Sequence, residues 1–283
     1  MVMDLEEKEL LRHKEWLGLL QPVGLVMASK ALNDAQAYLP ESQSVIELQQ
    51  ALQDLLGDNE VISAFTDLAL KVLGWLERDL VADQATLIQY EVNLREYQDI
   101  LQPSFVVPDP QGEKPLLLVQ ELALGQSFDE VDPALGQQAW QVSPQAKFER
   151  LLRENKVPTG LLFNGQAIRL VYAPLGESSG YLTFPLNSMA VVSGRLLLGA
   201  MEMLLGGDRL FNASENRGLN DILAASRKYQ SEVSTELSKQ VVDALWELLK
   251  GFQEADQASG GAVLGNLPET DPQQIYGGLI SWV

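Results

Sequence analysis

Residues 160–172 read "GLLFNGQAIRLVY", two apolar runs on either side of Asn164-Gly165. No other stretch restricts the fold as strongly. Asn and Gly both tolerate positive φ, which a tight two-residue turn demands at its central positions, so the stretch predicts a β-hairpin.

A second hairpin is written into residues 103–122, "PSFVVPDPQGEKPLLLVQEL". Ser104-Phe105-Val106-Val107 is a proline-bounded strand, PDPQGEKP a turn, and 116–120 the returning strand. β-Branched and aromatic runs at 104–107, 115–120, 160–164, 166–172 and 180–184 are separated by Pro and Gly. One helix belongs among them. Ser143 is a natural N-cap, Pro144 suits a first helical turn, and Phe148, Leu151 and Leu152 supply an inward stripe.

The flanks have helical periodicity. "LEEKELLRHKEWLGLL" predicts a solvated amphipathic helix, and further helices are expected at about 41–56 and 60–74. Residues 189–205 are nearly all apolar and predict a helix ending at Gly206-Gly207. Tyr229, Val233, Leu237, Val241 and Leu245 then recur at intervals of four, followed by Leu248, Leu249 and Phe252. This pattern predicts one long amphipathic helix or two in line. Core packing is the expected use of the stripe, and a partner-binding face is the other reading. No internal repeat stands out. The expected fold class is α+β: a helical part over 1–100, a central mixed β-sheet with one helix over 101–187, and a helical region over 188–283.

Composition removes several function classes. There is no cysteine, which excludes disulfides and thiolate metal sites. The single histidine, His13, lies in a charged helical stretch and is expected to be exposed; it supports neither a zinc site nor a serine–histidine triad. The N-terminus lacks the apolar core of a signal peptide. The 189–205 run, interrupted by Arg195 and Glu202, is too short to cross a bilayer, so a cytoplasmic protein without membrane contact is expected. A formal net charge of −19 repels phosphate backbones and argues against this chain as the main DNA-gripping surface.

With these elements placed, "SPQAKFERLLRENKVPTGLLFNGQAIRLVYAPLGESSGYLTFPL" resembles the N-terminal region of large type IIG-like restriction–modification proteins. "HKEWLGLLQPVGLVMASKAL" and "SRKYQSEVSTELSKQVVDALWELLKGFQEAD" are similar to flanking parts of that region, so the resemblance covers roughly 12–283. Such proteins fuse a nuclease-like region to an adenine-specific DNA methyltransferase and act in bacterial phage defence. The resemblance implies a restriction-endonuclease-like core of the PD-(D/E)xK type. Its chemistry needs an acid at the start of one strand, and an acid and a lysine two apart near the end of the next. Residues i and i+2 of a strand face the same way, so the acids can hold Mg²⁺ while the lysine orients the attacking water.

This chain departs from that pattern at each position. Pro103-Ser104-Phe105 stands where Pro-Asp-Phe is expected, and Gln120-Glu121-Leu122 where Glu-x-Lys is expected. Ser104, Gln120 and Leu122 thus mark a degenerate nuclease site with no catalytic or metal-binding residues. A rival alignment uses Asp109 and Glu121. Asp109 falls at the turn, on the order of 20–30 Å from Gln120 at ~3.3 Å per residue, and Glu121 points away from Gln120. Asp109 and Glu113 are read as turn residues. A third possibility, an active nuclease built on Glu121 and acids such as Glu91, has no motif behind it.

Lys147, Arg150 and Arg153 share a side of the helix after Ser143 and are the candidate nucleic-acid contacts; a solvated face beside Glu149 and Glu154 is the alternative. The chain contains neither a glycine-bearing S-adenosylmethionine loop nor an Asn-Pro-Pro-Tyr-like motif for a flipped adenine. No cofactor is therefore expected in this chain, whereas the full-length family implies S-adenosylmethionine and Mg²⁺. The terminal "IYGGLISWV" reads as the start of another helix, so a fragment or split gene product is expected. The expected function is a non-cleaving, nuclease-like N-terminal region of a restriction–modification methyltransferase. DNA would be engaged through the full-length protein and weakly or not at all by this chain. The alternative is a free-standing module docking on a separately encoded methyltransferase or helicase.

Overall fold

The computed structural model describes residues 5–110, 112, 114–132 and 140–262. It is an α+β protein. Helices α1 (Leu5–Leu20), α2 (Ser29–Asp34), α3 (Ser42–Leu56), α4 (Phe65–Lys71) and α5 (Gln84–Leu87) come first. Strands β1 (Val92–Leu94) and β2 (Asp99–Leu101) form a small antiparallel pair, and β3 (Phe105–Val107) and β4 (Leu117–Glu121) follow. Helix α6 (Pro144–Asn155) leads to β5 (Thr159–Phe163), β6 (Ala167–Tyr172) and β7 (Gly180–Pro185). After β7 the described residues form α7 (Leu186–Met189), α8 (Arg195–Leu205), α9 (Gly207–Phe211) and the 40-residue α10 (Leu219–Ala258). Two compact units divide at Met1–Arg227 and Lys228–Val283.

Five strands form one sheet in the order β3-β4-β5-β6-β7, antiparallel throughout except for the parallel pair β4–β5. A parallel pair needs a crossover, and α6 supplies it. The sheet is buried on both faces, which explains its near-continuous apolar strands. Val107, Leu117, Val119, Leu161, Phe163 and Leu170 join one core with α3, α4 and α8. Val106, Leu118, Leu162 and Val171 join the other with Phe148, Leu151 and Leu152 of α6. The alternation fixes which face each polar residue of these strands can reach.

The structure corrects several expectations. The 189–205 segment is not one helix: a 3₁₀ turn at Val192–Gly194 separates α7 from α8. There the chain folds back so closely that a Cβ on Gly194 would lie 1.9 Å from the Ser188 carbonyl oxygen. The β1–β2 pair lies at the end of the 1–100 part, expected to be mainly helical, and runs one residue past it. The β5–β6 hairpin exists, with its turn shifted by one residue. Asn164 N–H donates to Ala167 O (3.3 Å), which makes Gly165 and Gln166 the central pair. Only Gly165 has positive φ (82°), the pattern of a turn with glycine first. The Asn164 carboxamide oxygen instead accepts from the N–H groups of Gln166 (3.0 Å) and Ala167 (2.8 Å).

His13 is buried, contrary to expectation. The inward face of α1 runs through Glu9, His13 and Trp16, all buried, a spacing of four then three. Trp16 Nε1 donates to His13 Nδ1 at 3.2 Å. Burial pushes the imidazole pKa below its ordinary value; Glu9 partly opposes this and Arg12 adds to it. In the second unit, Val233, Leu237, Val241, Leu248 and Phe252 of α10 are exposed, so the stripe expected to pack into a core does not. No helix of the described residues is long and apolar enough to cross a membrane.

Candidate functional site

The register Phe105↔Val119 places Ser104 opposite Gln120 at the end of the β3–β4 pair, away from the turn. Gln120 Nε2 donates to Ser104 Oγ at 3.3 Å, and Glu121 N–H donates to the same oxygen at 2.9 Å. Ser104 therefore acts as the acceptor that closes the pair. Gln120 faces α6, because Leu118 two residues earlier packs in the α6-side core. Leu122 packs on that core as well.

Glu121 points the other way, and its carboxylate accepts from the N–H of Phe65 at 2.5 Å. Phe65 is the first residue of α4, so Glu121 satisfies one of the orphan donors of that helix end. Asp109 lies beyond the Val107↔Leu117 pair, at the opposite end of the strands from Gln120. The structure does not bring Asp109 and Glu121 together. Glu113 and the terminal "IYGGLISWV" lie outside the described residues.

Beside Gln120, a cavity of about 210 Å³ is lined by Asp99, Gln102, Leu122, Asp132, Lys147 and Phe148 among others. Its floor is the α6-side core and its polar rim comes from β2, the segment before β3, and α6. Ser143 Oγ caps α6 by accepting from Ala146 N–H (3.3 Å), which fixes where Lys147 leaves the helix. Lys147 Nζ meets Asp99 at 2.6 Å across the cavity rim. Gln102 Nε2 is buried there with no hydrogen-bond acceptor.

Each sequence-nominated cation has a carboxylate partner. Arg150 pairs with Glu96 (3.4 Å) and Glu154 (3.6 Å) and lies over the Trp140 ring, 5.5 Å from its centre. Trp140 in turn stacks on Tyr97 at 5.4 Å. Arg153 pairs with Glu149 at 3.4 Å. α6 is thus tied by ion pairs to the β1–β2 region, on β2 itself and on the short turn between the two strands.

The donor set does not suit Mg²⁺. Ser104 and Gln120 are neutral and bonded to each other, Leu122 has no donor, Glu121 caps α4, and Asp99 is committed to Lys147. A hard divalent cation requires several anionic or carbonyl oxygens converging on one point. Among the described residues, no group of three or more His, Asp or Glu gathers in that way.

One strong polar cluster went unnoticed in the sequence. Arg169 of β6 is buried on the α6 side. Its guanidinium makes a two-pronged bond to Asp129 (2.7 and 2.8 Å) and donates to Thr183 (2.8 Å) and Gln145 (3.2 Å). The rings of Phe128 and Tyr181 lie against it, 4.6 and 4.0 Å from the guanidinium carbon. The Arg169 hydrogen bonds hold the Asp129 carboxyl below its ordinary range, against a partial desolvation. The signal was present: one arginine in the otherwise apolar strand "AIRLVY". The clamp fastens the segment that carries Asp132 and Gln126 to the cavity rim.

A family model described as MmeI, N-terminal domain, matches residues 36–251, well over half of the chain. No curated protein matched the chain, and no solved structure did.

Proposed function

The chain belongs to the MmeI N-terminal domain family, the N-terminal region of a type IIG restriction–modification enzyme, and from that premise we propose that it is a nuclease-like region that does not cleave DNA. The observation that carries the reading is the Ser104–Gln120 pair. Two strands adjoin as the nuclease arrangement demands, and where it calls for metal-binding acids stands a neutral hydrogen bond (3.3 Å). Leu122 occupies the position two beyond Gln120, where a lysine would orient water, and packs against the core instead.

On this reading the region's contribution is architectural. It supplies a rigid sheet-and-helix body to an adenine-specific methyltransferase that carries the S-adenosylmethionine site and DNA recognition elsewhere, in defence against phage. Its own surface is formally strongly negative and does not grip duplex. The test is incubation of the purified chain with plasmid in Mg²⁺ or Mn²⁺. Intact supercoiled plasmid is expected. Metal-dependent cleavage lost on Glu121→Ala or Asp109→Ala would overturn the non-cleaving reading and locate the active carboxylate.

A further inference from the structure

The exposed stripe of α10 carries an inference that does not depend on the nuclease-like reading. Written from residue 228, the helix repeats every eleven residues. Lys228, Lys239 and Lys250 form one row, Glu232, Asp243 and Glu254 a second, and Glu236 and Glu247 a third. Val241 and Phe252, and Leu237 and Leu248, recur at the same interval. An eleven-residue period is about 3.67 residues per turn, close to the natural pitch of a straight helix, so each row stays on one side along the helix.

At about 98° per residue, the eight charged residues from Lys228 to Glu254 all fall within an arc of roughly 65°. They are laced together there: Lys250 meets Glu247 at 2.8 Å and Lys228 lies 4.0 Å from Glu232. The opposite side carries Val233, Leu237, Val241, Leu245, Leu248 and Phe252 and, from 228 to 254, no charge; Asp256, two residues from the end of the helix, falls on it. Val233 is 59% and Leu237 56% exposed, and the exposed Val242 flanks this face. Trp246 borders the charged arc instead, its ring under the Lys250 ammonium at 5.7 Å. A contiguous apolar face of this length is unusual on a monomer and marks an interface.

We propose that this seam pairs with the same seam of a second copy of the chain. The charge pattern supports that occupant. Two chains of formal net charge −19 repel one another, yet every charge between 228 and 254 sits on the side of α10 away from the seam. Two copies can therefore meet there without opposing like charges. Matching periods let apolar rows interdigitate along the whole length, as an isologous two-fold contact requires. The seam is long enough for a contact of the usual size, about 800 Å² per partner.

Sedimentation of the full chain at micromolar concentration and physiological salt tests this. A species of twice the 31.2 kDa chain mass is expected. Leu237→Asp with Leu248→Asp should give monomer with unchanged circular dichroism, weakening association at least tenfold, whereas Lys239→Ala on the far side should leave the dimer intact. A monomeric wild type would overturn the proposal and leave the face to a different protein. A dimer that survives the double substitution would overturn it as well. Plasmid cleavage reads out the hairpin alone, so the two accounts fail separately.

Discussion

Ser104 Oγ receives two hydrogen bonds from the neighbouring strand, from the Gln120 carboxamide at 3.3 Å and from the Glu121 backbone at 2.9 Å. On the proposed reading this is the position of a lost acid; the hydroxyl there fastens a strand end. Ser104→Ala leaves the half-buried Glu121 N–H without that acceptor and should cost about 1–2 kcal/mol of stability. Urea unfolding checks it; an unchanged midpoint would show that water replaces the hydroxyl at no cost.

Lys147, Arg150 and Arg153 are tied to Asp99, Glu96, Glu154 and Glu149. Duplex binding by the chain alone is expected to be weaker than micromolar at about 150 mM salt, the behaviour of a nonspecific binder or less. Fluorescence anisotropy across salt concentrations measures it. Submicromolar affinity abolished by Lys147→Ala with Arg150→Ala would instead make α6 a DNA contact.

Arg169 is buried, whereas the Asp129 side chain is 54% exposed. Arg169→Met should cost about 2–3 kcal/mol, because Gln145 and Thr183 lose a buried donor, while solvent screens the loss at Asp129. Asp129→Asn should cost about 1 kcal/mol or less. The Asp129 carboxyl is depressed, so its contribution is fully present above the unfolded value of 3.8 and is lost as the pH falls through the lower folded value. Denaturant titrations of wild type and Asp129→Asn between neutral and acid pH should converge at the acid end.

His13 has the opposite chemistry and gives a separate window. Its folded pKa lies below the ordinary 6.5, so below that pH the unfolded chain takes up the proton first. Stability should fall as the pH drops from about 6.5 toward the folded value. A protonated imidazole would also present a hydrogen at Nδ1 to the Trp16 donor it now accepts from. His13→Gln should flatten this part of the profile. The carboxylate of Glu9 and the guanidinium of Arg12 face the ring on the same helix.

The sheet was legible because its strands obey local rules. The five expected runs all appear within about two residues of their predicted bounds, delimited by the Pro and Gly that punctuated them. Ser143 caps α6 as its residue type demands. What escaped was set by tertiary packing. His13 looks exposed by composition, yet a spacing shared with Glu9 and Trp16 turns it inward. The two-residue turn slipped by one because Asn164 pairs with Ala167 through its backbone while its side chain accepts from the Gln166 and Ala167 N–H groups, which leaves Asn164 on the strand side of the turn. β1 and β2 are three residues each, too short to impose a period of two. The α10 stripe was read at intervals of four, which hides the eleven-residue period and the separation of charge that comes with it.

The central claim is that the β3–β4 hairpin holds a nuclease-like site emptied of its acids. Mn²⁺ titration by calorimetry tests it, with the wild type compared to Ser104→Asp combined with Gln120→Glu. Those positions face each other on adjacent strands, on the α6 side of the sheet. The account predicts no stoichiometric binding to the wild type and one Mn²⁺ per folded chain for the double variant. Tight wild-type binding would contradict it, as would a folded variant that binds no metal.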